Sequence, residues 1–353
     1  MVKMPLKYFP LKFFTFFICA NAFCQQEIFK SNFEFSTPES SSLVSSFTVS
    51  ENEIIFNASD FSLYGIQKNN FKTLWKTYIC WKTDLSPILQ DGFIFHGYSE
   101  KGITNCYIFN LKTGEKLKKL PFGTFESEPF FDKNIVYGTA LLEGGHILAY
   151  DLKEEKLLWR RFIAHGTRRN PYYIKDKIIA NAEGDNWFEI NYDGKLTDTG
   201  CLEKASIYVD NIPCVRNFRL LSHDKREITE DFLTKNKIES EEIIFKTTSK
   251  NTFVMTETNL LVLKDKTKKV AAIDLYNLNI ETVSFSKYIA ILKADGNEIW
   301  FVWHNNLLQY DFENNRLIKT YDLVQWNPHQ LAIDGKMLWL ISKNDGQLYA
   351  LKI

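Results

Sequence analysis

The feature that most constrains this chain is an internal recurrence: a short polar turn followed by an apolar run returns roughly every 40 residues, a period typical of solenoids and propellers. The segments are ENEIIF from Glu51, QDGFIF from Gln90, DKNIVY from Asp132, KDKIIA from Lys175, VDNIPCV from Val209, ETNLLVL from Glu257, DGNEIWF from Asp295 and DGKMLWL from Asp334. Each joins a Gly, Asp or Asn turn to β-branched or aromatic residues, the local chemistry of a hairpin. A second series keeps the same phase just downstream: SLYGIQ at Ser62, CYIFNLKTGEKL at Cys106, HILAYDLKEEKLLW at His146, WFEINYDGKL at Trp187, VAAIDL at Val270, LLQYDFENNRL at Leu307 and QLYALKI at Gln347. The interval between Trp187 and Val270 is about twice the others, so a degenerate unit around KREITEDF, Lys225 to Phe232, is expected to fill it.

Each unit reads as four short antiparallel strands, A to D. Repetition of such units predicts an all-β chain forming a single β-propeller of four-stranded antiparallel blades. The eight A–B turns imply eight blades; seven is the alternative, if SHDKREITEDFLTKNKIESEE from Ser222 forms a helix instead of a blade. The sequence stops on a strand C at Ile353, which leaves the last unit without its own strand D. EIFKSNFEF, near the N-terminus, is expected to pair into that last blade, closing the ring and removing an open sheet edge. Gly145, Ala149, Asp151 and Trp159 look like a motif, but Gly145 and Ala149 return in phase as Gly346 and Ala350, and Trp159 as Trp75. Side chains that recur in every unit serve packing, because a catalytic group is needed once.

At AYDLKEEKLLW and FNLKTGEKL the chain resembles the PQQ-like repeat proteins, whose unit reads roughly Ala-x-Asp-x-x-Thr-Gly-x-x-x-Trp. Ala149, Asp151 and Trp159 match in one unit, Thr113 and Gly114 in another, and Asp311 and Trp75 match in part. The resemblance implies a propeller and offers two branches. Quinoprotein dehydrogenases are longer and hold their quinone beside a vicinal cysteine pair and a calcium site. No adjacent cysteines occur here, so no cofactor is expected. The non-catalytic branch, typified by the lipoprotein accessory factor of outer-membrane protein assembly, is similar in length and period.

Lys3, Lys7 and Lys12 precede an aromatic-rich apolar run, the layout of a signal peptide over residues 1–24, with cleavage after Ala22 or Cys24 and a propeller domain over 25–353. Lipidation of Cys24 is the alternative to cleavage beyond it. The run is too short to span a bilayer, and no later segment is apolar for long enough. An exported monomer of the periplasm, cell surface or medium follows. A net charge of zero argues against nucleic-acid or anionic-membrane partners. Cleavage after Cys24 leaves four cysteines, and Cys201 with Cys214 is the candidate disulfide, against four buried thiols.

In a propeller the D–A and B–C loops share one face. All six histidines fall on or beside it: His96, His146, His165, His223, His304 and His329, together with Trp81, Trp326, Arg168 and Arg169. The other face carries Lys, Glu, Asp, Asn and Gly, the composition of tight solvated turns. Stacking rings, forked donors and near-neutral titration make the first face the expected binding surface, with His165, Arg168, Arg169, His304, Trp326, His329, His96 and Trp81 as candidate contacts to a protein or glycan. No catalytic or metal-ligating residue is assigned, since neither HExxH spacing nor a GxSxG elbow occurs. The competing expectation is a propeller hydrolase or lyase working in the central pocket of that face, with Glu183 and Asp185 the available carboxylates. Asn57-Ala58-Ser59 is a formal glycosylation triplet.

Overall fold

The computed structural model describes residues 26–32, 45–79, 81–82, 86–101, 103–141, 145–163, 171–173, 177–181, 186–201, 206–209, 212–215, 220–221, 227–228, 242–247, 251–255, 259–264, 268–275, 278 and 289–353. Strands dominate these residues, and among them no helix is long and apolar enough to cross a membrane. The signal-peptide region lies outside the described residues.

Among the described residues, seven sheets of four or more strands follow one another along the chain. Sheet 1 orders Ser46–Val49, Glu53–Ala58, Ser62–Gln67 and Thr73–Tyr78 as successive antiparallel neighbours, strands A to D. Sheet 2 has Phe93–Glu100, Ile103–Asn110 and Lys116–Lys119 as B, C and D, and a strand A broken into Trp81–Lys82 and Ile88–Gln90. Sheet 3 is built alike, with Thr124–Phe125 and Phe130–Asp132 against Ile135–Leu141, then Gly145–Asp151 and Lys156–Phe162. Sheet 4 runs Tyr172–Tyr173, Lys177–Asn181, Asn186–Asn191 and Leu196–Cys201. Sheet 5 runs Glu242–Thr247, Asn251–Met255, Asn259–Lys264 and Lys268–Asp274. Sheet 6 comprises Ile289–Asp295, Glu298–Trp303, Asn306–Asp311 and Arg316–Asp322. Sheet 7 comprises Pro328–Asp334, Met337–Ser342 and Leu348–Lys352.

The outer place in sheet 7 is taken by Gln26–Lys30, which pairs antiparallel with Leu348–Lys352 from Gln26 opposite Lys352 to Lys30 opposite Tyr349. Just beyond it, the Ser31 hydroxyl accepts from the Leu348 amide at 2.9 Å and donates to Gln347 Oε1 at 2.5 Å. Gln26–Lys30 is therefore the fourth strand of this sheet.

The burial pattern explains why the sheets stack. In sheet 1, strands B and C are buried almost throughout, whereas strand D buries only Trp75. Strands covered on both faces read as continuous apolar runs, and a strand covered on one face alternates. The cover comes from neighbouring sheets. Ile55 and Leu63 of sheet 1 cluster with Ile94 and Phe109 of sheet 2, and Phe95 and Ile108 of sheet 2 with Val136 and Leu148 of sheet 3. Ile147 continues into Ile178 of sheet 4, Phe253 of sheet 5 meets Phe301 of sheet 6, and Val302 meets Leu340 of sheet 7. Sheet 7 in turn packs Trp339 and Ile341 against Phe47 and Phe56 of sheet 1. The first and last sheets also share Gln330, whose side-chain amide donates to Phe47 O at 2.8 Å and accepts from Phe47 N at 3.0 Å.

One expectation is corrected in detail. ETNLLVL and VAAIDL were assigned by phase to strands B and C, but Asn259–Lys264 and Lys268–Asp274 occupy the third and fourth places of sheet 5. The segment expected to hold a degenerate unit contains two short hairpins. Ser206–Val209 with Ile212–Val215 joins sheet 5 through a parallel pairing to Glu242–Thr247, and Leu220–Leu221 pairs with Glu227–Ile228.

Candidate functional site

The recurring residues resolve into two structural devices. Asp151 Oδ1 accepts the backbone amides of Lys153 and Glu154, both at 2.9 Å, so the Asp of Ala-x-Asp folds its own C–D turn. Asn110 and Asp311 do the same for sheets 2 and 6. The second device is the strand-D tryptophan. Trp75 lies opposite Gly65 in its own sheet and donates from Nε1 to Leu111 O of sheet 2 at 3.0 Å. Trp159 lies opposite Ala149 and donates to Tyr192 O of sheet 4 at 2.8 Å. Each ring covers a left-handed glycine of the next sheet's turn, Gly114 or Gly194, where a Cβ would come within 2.2 or 2.5 Å of the ring.

The expected binding residues divide by burial. Trp326 is 4 % exposed, with its ring edge-on to Tyr349 at 6.3 Å in the core between sheets 6 and 7. His96 is 1 % exposed inside strand B of sheet 2, opposite Tyr107. Both side chains are occupied by packing, His96 because strand B is covered from both sides and Trp326 because the turn that carries it folds the ring into the core between sheets 6 and 7. Asn57 is likewise fully buried, which closes its triplet to a glycan. His304 sits in the B–C turn of sheet 6 with φ +53° and its ring edge-on to Trp303 at 4.7 Å. His329 is exposed at the start of sheet 7. Trp81 has only its backbone described, opposite Ser99. His165, Arg168, Arg169, His223, Glu183 and Asp185 lie outside the described residues, as do the side chains of Cys201 and Cys214. Cys106 is a buried free thiol, and burial pushes its pKa up. Among the described residues no group of three His, Cys, Asp or Glu is placed to hold a metal ion.

Residues not singled out from the sequence mark the same end of the sheets. Tyr78, Ile103 and Phe162 are 70, 63 and 62 % exposed, the most exposed large hydrophobic side chains among the described residues. Tyr78 ends strand D of sheet 1, Ile103 begins strand C of sheet 2, and Phe162 ends strand D of sheet 3. These positions all belong to the D–A and B–C end of three consecutive sheets. His146 joins them, its ring edge-on to Phe162 at 5.5 Å. The only sequence signal was an aromatic or branched residue at the loop end of a strand, and such residues equally well begin a buried link.

No protein-family model matches the chain, and no curated protein matches it. Among solved structures, the chain is similar to the computationally designed Ika8 protein, with a TM-score of 0.59 at 12 % identity over 90 % of this chain and 98 % of that one. BamB from Moraxella catarrhalis aligns with a TM-score of 0.44 at 10 % identity over 87 % of this chain and 82 % of that one. Antiparallel sheets pack face to face from sheet 1 to sheet 4 and from sheet 5 to sheet 7, and sheet 7 packs against sheet 1, a stack of four-stranded units of the β-propeller class.

Proposed function

We propose that the protein is an exported, non-catalytic binding propeller of the PQQ-like repeat type, working as a scaffold in the cell envelope. The partner is a protein, held at the D–A and B–C end. The observation that carries this reading is the collection of Tyr78, Ile103 and Phe162 at one end of three consecutive sheets. Single exposed apolar side chains are ordinary, whereas large apolar side chains at one end of three consecutive sheets suit the anchors of a protein interface. His304 and His329 extend the polar part of that rim, and the loop with His165, Arg168 and Arg169 follows directly after Phe162 in the sequence. Export is supported by the N-terminal lysines and apolar run.

The ring has eight blades in this reading. The degenerate unit falls between sheets 4 and 5, where one hairpin, Ser206–Val209 with Ile212–Val215, joins sheet 5 and another, Leu220–Leu221 with Glu227–Ile228, stands apart, and Gln26–Lys30 serves as strand D of the last unit.

Photo-crosslinking residues placed singly at Tyr78, Ile103 and Phe162, and as controls at Leu196 and Ile318 of the opposite end, test the proposal in the native host. The expected result is one and the same adduct from the first three and none from the controls. Adducts spread equally over both ends, or absent from the first three, would overturn it.

A further inference from the structure

A cavity of about 380 Å³ opens in the seam between sheets 2 and 3, at the A–B and C–D turns, the end opposite the proposed partner face. Its size falls in the ~300–1,000 Å³ range of small-molecule pockets, near the lower limit. Phe93, Phe95, Ile108, Leu117 and Leu152 make an apolar interior. Phe93 and Leu117 are 40 and 44 % exposed, so two large apolar side chains face water there that a ligand would cover.

The rim has a sign. Lys118, Lys133 and Lys153 line the opening against a single lining carboxylate, Asp91, which accepts from Gln90 Nε2 at 2.9 Å. Glu155 lies beside the opening and pairs with Lys118 at 2.7 Å, while Lys153 reaches Glu154 only at 3.7 Å. Glu155 offsets Lys118 and exposed Glu154 offsets Lys153 in part, while among the lining residues lysines outnumber the carboxylate three to one. Tight turns hold the walls. Asp91 and Lys133 both take left-handed conformations in the A–B turns of sheets 2 and 3, and Leu152 N donates to Asn134 O at 2.8 Å across the second of these.

The geometry points to this seam as a binding site for an amphipathic carboxylate, its apolar tail between Phe93 and Leu117 and its head at Lys133 and Lys153. Apolar burial supplies affinity, and the lysines, as mobile point charges, choose an anionic head over a neutral one. The site is independent of the partner face, so either reading can fail alone.

Decanoate is the probe, titrated calorimetrically into the full mature chain, with decanol as the neutral comparator. The expected result is saturable one-to-one binding of decanoate and at least tenfold weaker binding of decanol. The double variant Lys133→Glu/Lys153→Glu should weaken decanoate at least tenfold, and Phe93→Asp by a similar factor, with the thermal midpoint of each variant unchanged as the check on folding. Absence of saturable binding overturns the inference. So does decanol binding as tightly as decanoate, or binding that persists within threefold in the charge-reversed variant. Should the charge variant not fold, Lys133→Gln/Lys153→Gln carries the same test with at least a threefold loss expected.

Discussion

The contact between Trp159 and Gly194 can be isolated by a thermodynamic cycle. Gly194 has φ +80°, and a Cβ there would lie 2.5 Å from two atoms of the Trp159 ring and 3.0 Å from a third, with no other group among its three nearest neighbours. In the intact protein Gly194→Ala therefore incurs two penalties: about 1–2 kcal/mol for the left-handed backbone, and about 1–3 kcal/mol for forcing the ring aside. Trp159→Ala alone should cost about 2–3 kcal/mol, below the ~3–5 of a fully buried ring because Trp159 is half-buried. In the Trp159→Ala background only the backbone penalty of Gly194→Ala remains. The two changes should thus be non-additive by at least about 1 kcal/mol, well outside the ~0.3–0.5 kcal/mol of independent sites. Urea denaturation of the four proteins, followed by far-UV circular dichroism and compared at equal m, gives the coupling. Equal costs of Gly194→Ala in both backgrounds would mean that the tryptophan does not clamp the next sheet's turn.

The group Lys30, Asp345 and Tyr349 gives a pH prediction. Hydrogen bonds to Tyr349 and Asp345 raise the Lys30 pKa, and burial, then the bond to Asp345, pushes Tyr349 up to about 12. Both hold their protons more tightly folded than unfolded, so their contribution is complete below about pH 10 and is lost as pH climbs toward 12. The thermal midpoint should fall between pH 10 and 12, and less steeply in Lys30→Met/Tyr349→Phe. Asp345 has the opposite sign: burial raises its pKa, but bonds from Tyr349 and Lys30 outweigh this and lower it. Its contribution is present above the ordinary carboxylate range and lost as pH falls through the depressed value, which Asp345→Asn should remove from an acid titration of stability. Asp311→Ala should cost about 1 kcal/mol by removing the acceptor of the Glu313 and Asn314 amides, and Asp311→Asn should recover most of it, as measured by chemical denaturation. Cys106 should resist N-ethylmaleimide in the native state and react on unfolding, with mass spectrometry following the adduct.

The period was legible because its markers are local. A turn needs Asp, Asn or Gly at a fixed offset, and the strands around it need apolar runs, whatever lies across the sheet. Sheet 5 broke the reading because Lys264 stands where sheets 2, 3 and 6 carry Asn110, Asp151 and Asp311, and Ala271 stands where sheets 1 and 3 carry Trp75 and Trp159. Strands B and C of one blade, both covered on two faces, then look alike, and the register slipped by one strand. The site was less legible for a related reason. Trp326 and His96 stand at the loop-bearing end in sequence, yet alternation cannot say that strand B is covered on both sides at His96, nor that the turn with Trp326 folds its ring into the core between sheets 6 and 7. Phe162 ends a strand written KLLWRRF, where Leu157, Leu158 and Phe162 are all exposed and half-buried Trp159 is the ring that docks. Depth in the stack decides exposure, and that is a property of the assembly of sheets.

The acid–tyrosine–lysine groups show how much of the polar surface the architecture itself consumes. In sheet 1, Asp60 accepts from Tyr64, and Lys76 bonds Asp60 at 2.9 Å while lying 5.1 Å above the Tyr64 ring. In sheet 2, Tyr107 donates to Glu100 at 2.9 Å under Lys116, 5.0 Å from the ring. In sheet 7 the acid is Asp345 and the tyrosine Tyr349, but the lysine is Lys30, brought by the N-terminal strand to the outer position that Lys76 holds in sheet 1. The same three chemistries are assembled at the last sheet from opposite ends of the sequence. Lys30 reaches Tyr349 because Gln26–Lys30 holds in sheet 7 the outer place that Thr73–Tyr78 holds in sheet 1, with Lys30 opposite Tyr349 as Lys76 is opposite Tyr64. Charged groups paired in this way are engaged with one another, which leaves recognition to side chains that the sheets leave exposed. Tyr78, Ile103 and Phe162 at one end, and Phe93 and Leu117 beside Lys133 and Lys153 at the other, are of that kind.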